Sequence, residues 1–499
     1  MFKHFHNGFL NVFNSFLSEG STLTAKTAKG IVWRLASFGF DKLLSFATTI
    51  LLARLLAPAD FGIIAIASFV LNSMELVGSW GMDAALIKEN KKVSDTKNAV
   101  FFASIFISLS VFILSFVISP FASNFFNSPE SLWIIRTMAF ASFIKSFHVV
   151  PSAMINKEMN FKKSSLAGWI SAVLRTAFTV LLALNGFGPW ALVYGNLLGS
   201  VLDVIIAFVL FPFKPSLRFD FSVLRNVFSF GGHMFLTTVI IFLITQGDSA
   251  FIGRFLGATA LGFYTLAYNL SNLPATHITH IISQVIFPAY SKINDNKERM
   301  KKAYFKVLRF ISLIAFPSSL GIFILAPEIV RIVYGEKWAP IIIIVQILCF
   351  FGMLRSVLGT TGEIFKAVGR PDYLERISLL QLVVMAVMIY PLTVKFGLVG
   401  TSFAVLIPPF IVHTWSFYKV GKILGSSLLE ILKVLSIPFF CSVLMCVFIF
   451  LMKSLVVISN LFLLLAFVAF GGLVYFGLIF LLRKEYFSEI KGALSSLTK

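Results

Sequence analysis

Residues 51–62 read "LLARLLAPADFG", and two hundred residues later 251–262 read "FIGRFLGATALG". Both close an apolar run, place an arginine near its edge (Arg54 and Arg254), and turn into a second apolar run at a shared glycine (Gly62 and Gly262). The reading of this doubled phrase decides the fold, because a helix end written twice at a fixed interval points to a duplicated bundle.

The surrounding composition says what kind of bundle. Of 499 residues, 58% are hydrophobic and only 13% charged, and the mean hydropathy is +0.90, well away from the balance of a soluble domain. Runs of roughly 18 or more mostly apolar residues are long enough to cross a bilayer core of about 30 Å as helices. Fourteen can be drawn: 31–56, 62–86, 99–119, 132–155, 164–184, 190–211, 227–252, 262–287, 303–326, 340–363, 377–394, 398–418, 434–452 and 460–482. The expected fold class is an all-α integral membrane protein with fourteen transmembrane helices. Two six-helix lobes related by a pseudo-two-fold axis would surround a central cavity, with two extra C-terminal helices.

The net charge of +20 raises nucleic acid as a partner, and its distribution removes it. Lys and Arg in the termini and in alternate connections number 28 on the side holding both ends and 5 on the other. That alternation is the positive-inside pattern, so both termini are expected in the cytoplasm and the chain in the cytoplasmic (inner) membrane. No cleavable signal peptide is visible in residues 1–29. Phe2, Phe5, Phe9, Phe13 and Phe16 recur there every three or four residues, as in an amphipathic helix lying on the inner membrane face or a loose terminus.

Six spans, an even number, separate the two phrases, so both copies meet the membrane in the same orientation. Ser37, Ser45 and Thr48 match Thr237, Thr245 and Asp248 at the same interval, and "NGFGPWA" (185–191) matches "VKFGLVG" (394–400) at an interval of 209. The expected organisation is an N-terminal segment 1–29, an N-lobe 30–211, a linker 212–226, a C-lobe 227–418, a linker 419–433, spans 13 and 14 within 434–482, and a tail 483–499.

A charge at mid-membrane costs about 2.5–3.5 kcal/mol on insertion scales and so needs a partner, water or a function. Arg34, Ser37, Asp41, Ser45 and Thr48 form one helical face, with Lys42 beside it. Asn269, Asn272, Thr276, His280 and Ser283 form another, on the span that carries the kinking prolines Pro274 and Pro288. Such faces pack against other helices or line a wet cavity. Lys145, Arg175 and Arg355 are the best-placed cations, and Lys145 and Arg355 stand 210 residues apart, nearly equivalent in the two lobes. They suit an anionic headgroup such as a phosphate, or else pair with Asp41, Glu75, Asp203, Asp248 or Glu363 and only hold the bundle. Asp41, Asp248 and Glu363 are candidates for carrying H⁺ or Na⁺. Arg54, Arg254, Arg136 and Arg309 lie near span ends, where long side chains snorkel to the interface.

The remaining motifs exclude more than they propose. Cys349, Cys441 and Cys446 fall inside spans and form no disulfide framework. His277 and His280 form an HxxH pair without nearby carboxylates, and no ATPase-type Gly-rich loop is present, so no cofactor is expected beyond an ion gradient. No loop between spans exceeds about 16 residues, which leaves no room for the soluble domain or large loop of a polysaccharide polymerase or ligase.

Five phrases then carry a resemblance: "ILLARLLAPADFGIIAIA", "GSWGMDAALIKE", "GFYTLAYNLSNLPATHITHIISQVIFPAYSKI", "PEIVRIVYGEKWAPIIIIVQIL" and "AVGRPDYL". Together, over about residues 25–420, the chain resembles the lipid-linked oligosaccharide flippases of bacterial polysaccharide, O-antigen and colanic-acid-type export. These belong to the multidrug/oligosaccharidyl-lipid/polysaccharide exporter superfamily. The resemblance implies a substrate built on undecaprenyl pyrophosphate, moved between leaflets by alternating access, and H⁺ or Na⁺ antiport. It implies a cationic cavity, for which Lys145, Arg175, Arg355, Arg34 and Lys42 are the residues chosen on physical grounds. Expected partners are the lipid-linked substrate, membrane lipids and the polymerase and chain-length machinery, with the chain a monomer. A cation-coupled drug antiporter of the same superfamily is the alternative.

Overall fold

The computed structural model describes residues 23–78, 93–157, 161–216, 221–276, 286–287 and 289–482, and every regular element among them is helical. In chain order these are α1 (Leu23–Leu55), α2 (Pro58–Gly78), α3 (Val93–Phe125), α4 (Ser131–Lys145), α5 (Val149–Lys157), α6 (Phe161–Leu184) and α7 (Trp190–Leu210). The second half holds α8 (Phe221–Phe255), α9 (Gly257–Ser271), α10 (Lys297–Glu328), α11 (Ile342–Ala367) and α12 (Pro371–Leu424), and the chain closes with α13 (Leu428–Leu455) and α14 (Leu461–Leu482). Twelve helices among the described residues are long and apolar enough to cross a membrane.

The fourteen expected spans and the described helices differ at two places. The expected eighth span, 262–287, runs through residues 277–285, which lie outside the described residues, as do the aromatic N-terminal stripe and the His277/His280 pair. The eleventh and twelfth expected spans lie within the single 54-residue α12, which breaks at Gly397 (φ 59°, ψ −138°). A left-handed φ is open to glycine without a Cβ clash. Gly188, 209 residues earlier, has φ 53°, so both copies of the "FG" phrase place a positive-φ glycine at the same point.

The helix ends follow from their residues. Pro58 opens α2, where its missing N–H costs nothing, and Asp60 accepts a hydrogen bond from the Ala57 backbone N–H at 2.8 Å. Asn296 caps α10 by accepting from the Arg299 N–H at 3.0 Å, and Gly425 ends α12 in the left-handed region.

The doubled phrase is where the halves meet. A Cβ added at Gly62 would fall 1.7 Å from the Ala258 carbonyl oxygen, and one at Gly262 would fall 1.8 Å from that of Pro58. Since 258 and 262 are the repeat equivalents of 58 and 62, the contact is reciprocal, as a two-fold relation between α2 and α9 requires. The largest buried cluster straddles it, with Ile66 and Ala67 of α2, Ile134 and Ile135 of α4, Tyr264 and Ala267 of α9 and Val345 and Leu348 of α11 packed together.

The arginines of the phrase do more than reach an interface. Arg54 donates through Nε to the Val333 carbonyl at 2.9 Å and through Nη2 to that of Ile332, while Arg254 donates to the Phe125 carbonyl at 2.7 Å. Each therefore binds carbonyls at a helix end in the opposite half, where such groups have no intrahelical donor. Lys337 donates to the carbonyls of Arg54 (2.9 Å) and Leu56 (2.7 Å), and Trp338 Nε1 donates to that of Ala53 (2.8 Å). The segment 329–341, a π-turn followed by a 3₁₀ turn, thus grips the end of α1. The helices α13 and α14 pack away from this contact. α13 runs along α10, fastened at one end by Lys301–Glu430 (2.7 Å) and at the other by Lys453–Glu328 (2.7 Å).

A methyl group at Gly62 has a backbone oxygen in its place, so Gly62→Ala is expected to destabilise the protein by about 1–3 kcal/mol, the usual cost of overpacking. Gly472→Ala on α14, where a Cβ meets open space, is the neutral comparison. Thermal unfolding of the detergent-solubilised pair measures the difference.

Candidate functional site

Polar side chains inside the bundle gather along three connected hollows. The first, about 600 Å³, lies within the first half between α1, α6 and α7. From α1 it takes Asp41, Lys42, Ser45, Thr48 and Thr49, from α6 Ser171, Arg175, Thr176 and Thr179, and from α7 Asn196 and Asp203. Each set recurs at three or four residues, so each helix turns one polar stripe inward. Ser171 donates to Asp203 Oδ1 at 2.5 Å, Thr48 and Thr176 share a hydrogen bond of 3.2 Å, and Thr179 donates to the Arg175 carbonyl at 2.8 Å.

Close helix packing sets the shape of this hollow. On α7, Gly195 and Gly199 form a small-xxx-small pair of the kind that lets helices approach in a membrane. A Cβ at Gly195 would meet Thr179 Oγ1 at 1.9 Å, and one at Gly199 would meet Arg175 Cδ at 2.6 Å. Gly199 therefore leaves the groove in which the Arg175 stem lies.

A second hollow, also about 600 Å³, lies in the second half between α8, α11 and α12. It carries Arg355, Glu363, Lys366 and Gln381, with Ile241, Phe351, Leu358 and Ile377 among its apolar lining. Glu363 and Lys366 pair at 3.1 Å, and Arg355 is held by the Tyr268 hydroxyl, to which its Nη1 donates at 2.9 Å. A third hollow of about 270 Å³ joins the halves, lined by Lys42, Ser45 and Thr49 of α1 and by Tyr268, Asn269, Asn272 and Thr276. Lys42 also lines the first hollow and Thr276 the second, so the middle hollow shares a lining residue with each of the others and polar groups follow a path from one half to the other.

Most of the residues chosen from sequence meet on this path. Asp41, Lys42 and Arg175 share the first hollow, Arg355 and Glu363 the second, and Asn269, Asn272 and Thr276 the third. Arg34 lies on α1, its side chain outside the described residues, and His280 lies outside them altogether. Asp248 stands apart from the three hollows. It is 1% exposed and accepts hydrogen bonds from the Tyr264 hydroxyl at 2.6 Å and the Ser249 N–H at 2.7 Å.

Lys145 is exposed at the end of α4 and lines none of these hollows. Its near-equivalence to Arg355 fails locally. α4 stops at Lys145 and gives way to a 3₁₀ turn at Ser146–His148, whereas α11 continues unbroken from Ile342 to Ala367.

The comparisons with known proteins match this architecture. A family model described as "Polysaccharide biosynthesis protein" matches residues 51–343. The chain belongs to this family. A Klebsiella pneumoniae relative, an uncharacterized membrane protein in a cps region, is 26% identical over 95% of this chain and 99% of its own length. The Escherichia coli lipopolysaccharide biosynthesis protein WzxC is 26% identical over 84% of this chain and 86% of its own. Among solved structures, the lipid II flippase MurJ in an inward closed conformation aligns with a TM-score of 0.74 over 91% of this chain and 99% of its own, at 17% identity. An inward-facing multidrug resistance MATE transporter aligns at 0.56, over 79% of this chain and 99% of its own, at 18% identity. At those identities the structural likeness establishes the fold alone, that of a multi-pass helical membrane bundle.

In this polysaccharide biosynthesis family member the first hollow is also lined by Asn196, which the sequence does not single out, and by Asp203, expected from sequence only as an ion partner. The usable signal was the spacing of Asn196, Gly199 and Asp203 on one face of α7, beside the Gly195/Gly199 pair.

If the first hollow is wet, cysteines placed at Arg175 and Asn196 are expected to react readily with a charged, water-soluble maleimide. A cysteine at the buried Asp248 is expected to react at least tenfold more slowly, about the ratio that a 1.4 kcal/mol opening cost produces. A background lacking Cys349, Cys441 and Cys446, read out by mass shift, checks this.

Proposed function

We propose that the chain is a flippase that moves an undecaprenyl-pyrophosphate-linked oligosaccharide repeat unit from the inner to the outer leaflet of the cytoplasmic membrane, for surface polysaccharide biosynthesis. One observation carries the reading. A duplicated membrane bundle meets along a glycine-tight seam and keeps, inside each half and between them, hollows lined by cations, of which Arg355 in the second half has no acid to balance it. Among the described residues Lys42, Arg175 and Arg355 line these hollows with no carboxylate within ion-pair distance, and Arg355 is bonded to a neutral hydroxyl. Charges kept at such cost in a low-dielectric setting serve an anionic cargo. The family match and the named functions of the relatives support the same assignment.

Fourteen spans in two six-helix lobes plus α13 and α14, with both termini in the cytoplasm, fit the charge alternation of the connections. In this orientation the cross-half bonds of Arg54, Arg254, Lys337 and Trp338 lie at the outer end of the bundle. Opening the path outward then means breaking them together with the Gly62–Gly262 contact at the same end, and alternating access follows from rocking the halves apart there. The drive is an ion gradient, H⁺ or Na⁺, with Asp41, Glu363 and the buried Asp248 as the carboxylates that can take up the ion. The chain acts as a monomer, delivering its cargo to a polymerase and chain-length machinery. The antiporter reading shares the fold, but the cations and the family match favour an anionic lipid over a cationic drug.

Neutralising Lys42 and Arg355 together, as Lys42→Gln/Arg355→Gln, is expected to cut surface polysaccharide at least tenfold in a deletion strain, with the protein still inserted. Two lost charge-assisted contacts, each worth about 1.5–3 kcal/mol, suffice for that. Lys145→Gln, outside the hollows, is expected to leave most export intact. Immunoblotting of membranes alongside surface glycan staining gives both quantities, and normal export from the double variant refutes the assignment.

A further inference from the structure

The duplication supplies an internal comparison. Asp41, Leu44 and Ser45 line the first-half hollow, and Ile241, Ile244 and Thr245, two hundred residues on, line the second-half one. On the next wall, Gly168, Ser171, Ala172 and Arg175 of α6 recur as Leu374, Ile377, Ser378 and Gln381 of α12, 206 residues on. Two walls of the hollow have been kept while their chemistry has diverged, and the third wall is α7 in the first half and α11 in the second. Where the first copy has an acid, a hydroxyl and a guanidinium, the second has two isoleucines and an amide.

The charges in the first hollow balance. Two cations, Lys42 and Arg175, face two carboxylates, Asp41 and Asp203, and no two of these four lie within 4 Å as an ion pair among the described residues. A pyrophosphate placed there would meet both carboxylates as well as both cations, and like charges repel strongly where water is excluded. The second hollow differs, because Lys366 neutralises Glu363 and leaves Arg355, tied to a neutral tyrosine hydroxyl, as net positive charge.

A neutral sum of separated donors and acceptors is instead what a polyhydroxylated ligand requires. Carboxylate and amide oxygens accept from sugar hydroxyls, and the ammonium, guanidinium and amide N–H groups donate to them. Fixed polar groups in a hollow of this size give specificity, and these are fixed: Ser171 orients Asp203 at 2.5 Å, and Gly199 leaves the groove for the Arg175 stem.

We propose that the first-half hollow is the glycan subsite, in which Asp203 and Asn196 read sugar hydroxyls, and that the pyrophosphate is held outside it, by Arg355. The assignment rests on the flippase reading above and divides its cargo between the two halves.

The test uses the full chain in lipid nanodiscs and two probes: undecaprenyl pyrophosphate, and the lipid-linked oligosaccharide that accumulates in the host when the flippase gene is deleted. Asp203→Asn and Asn196→Ala are each expected to weaken binding of the glycan-bearing lipid by about tenfold, the loss of roughly one good hydrogen bond. Binding of undecaprenyl pyrophosphate should be unchanged, which also certifies that the variants fold. Arg355→Gln should weaken both lipids alike. The subsite is refuted if the two α7 variants bind both lipids less well by the same factor, or bind the glycan-bearing lipid as the parent does. If the parent chain binds neither lipid, the flippase reading itself fails.

Discussion

Two backbone carbonyls occupy the space where side chains at positions 62 and 262 would begin. Everything else in the molecule is arranged around that contact. Because Gly62 meets Ala258 and Gly262 meets Pro58, the helices α2 and α9 touch along a line that maps each half onto the other. The large buried cluster fills in beside it, and the seam brings the end of each half's first helix within reach of the other half. Lipid tails are as apolar as leucine, so no hydrophobic gain drives such helices together. Close van der Waals approach through small residues is the available substitute.

The seam leaves hollows on either side, and the chemistry of those hollows reflects the cost of charge in a membrane. A cation at mid-membrane is tolerated when it reaches water or a partner. Here Glu363 and Lys366 satisfy one another, and Asp248 is enclosed by Tyr264 and Ser249, while Lys42, Arg175 and Arg355 line the hollows without an ion pair among the described residues. The two hollows share two walls that match at the repeat interval, and the residues on those walls differ in chemistry. One is rich in mixed polar groups with balanced charge, and the other is more apolar with Arg355 uncompensated.

At the opposite extreme of polarity, α13 and α14 belong to neither copy of the repeat. Their attachment is electrostatic at both ends of α13, through Glu430 and Lys453, and apolar between, through Cys441, Met445 and Ile449 packed with Leu313 and Leu325 of α10. The outer surfaces of both helices remain apolar, with Phe440, Leu451, Phe462 and Leu473 exposed, as a lipid-facing surface should be.

The sequence by itself determined the helical, membrane-crossing character of the chain, the repeat, and which faces are polar. Apolar length, charge placement and three-to-four-residue spacing are local properties that any chain of this composition displays before it folds. It also marked Lys42, Arg175, Arg355 and Asp41, because charges within apolar runs stand out. Only the tertiary structure decided how those residues group. Asp203 and Asn196 join Arg175 because Gly195 and Gly199 let α7 lie close on α6. Arg54 and Arg254 bind carbonyls across the seam because the opposite half ends its helices there. Lys145 parts from Arg355 because α4 gives way to a 3₁₀ turn where α11 continues as a regular helix. These outcomes depend on distances between segments far apart in the chain, and no local pattern encodes such distances.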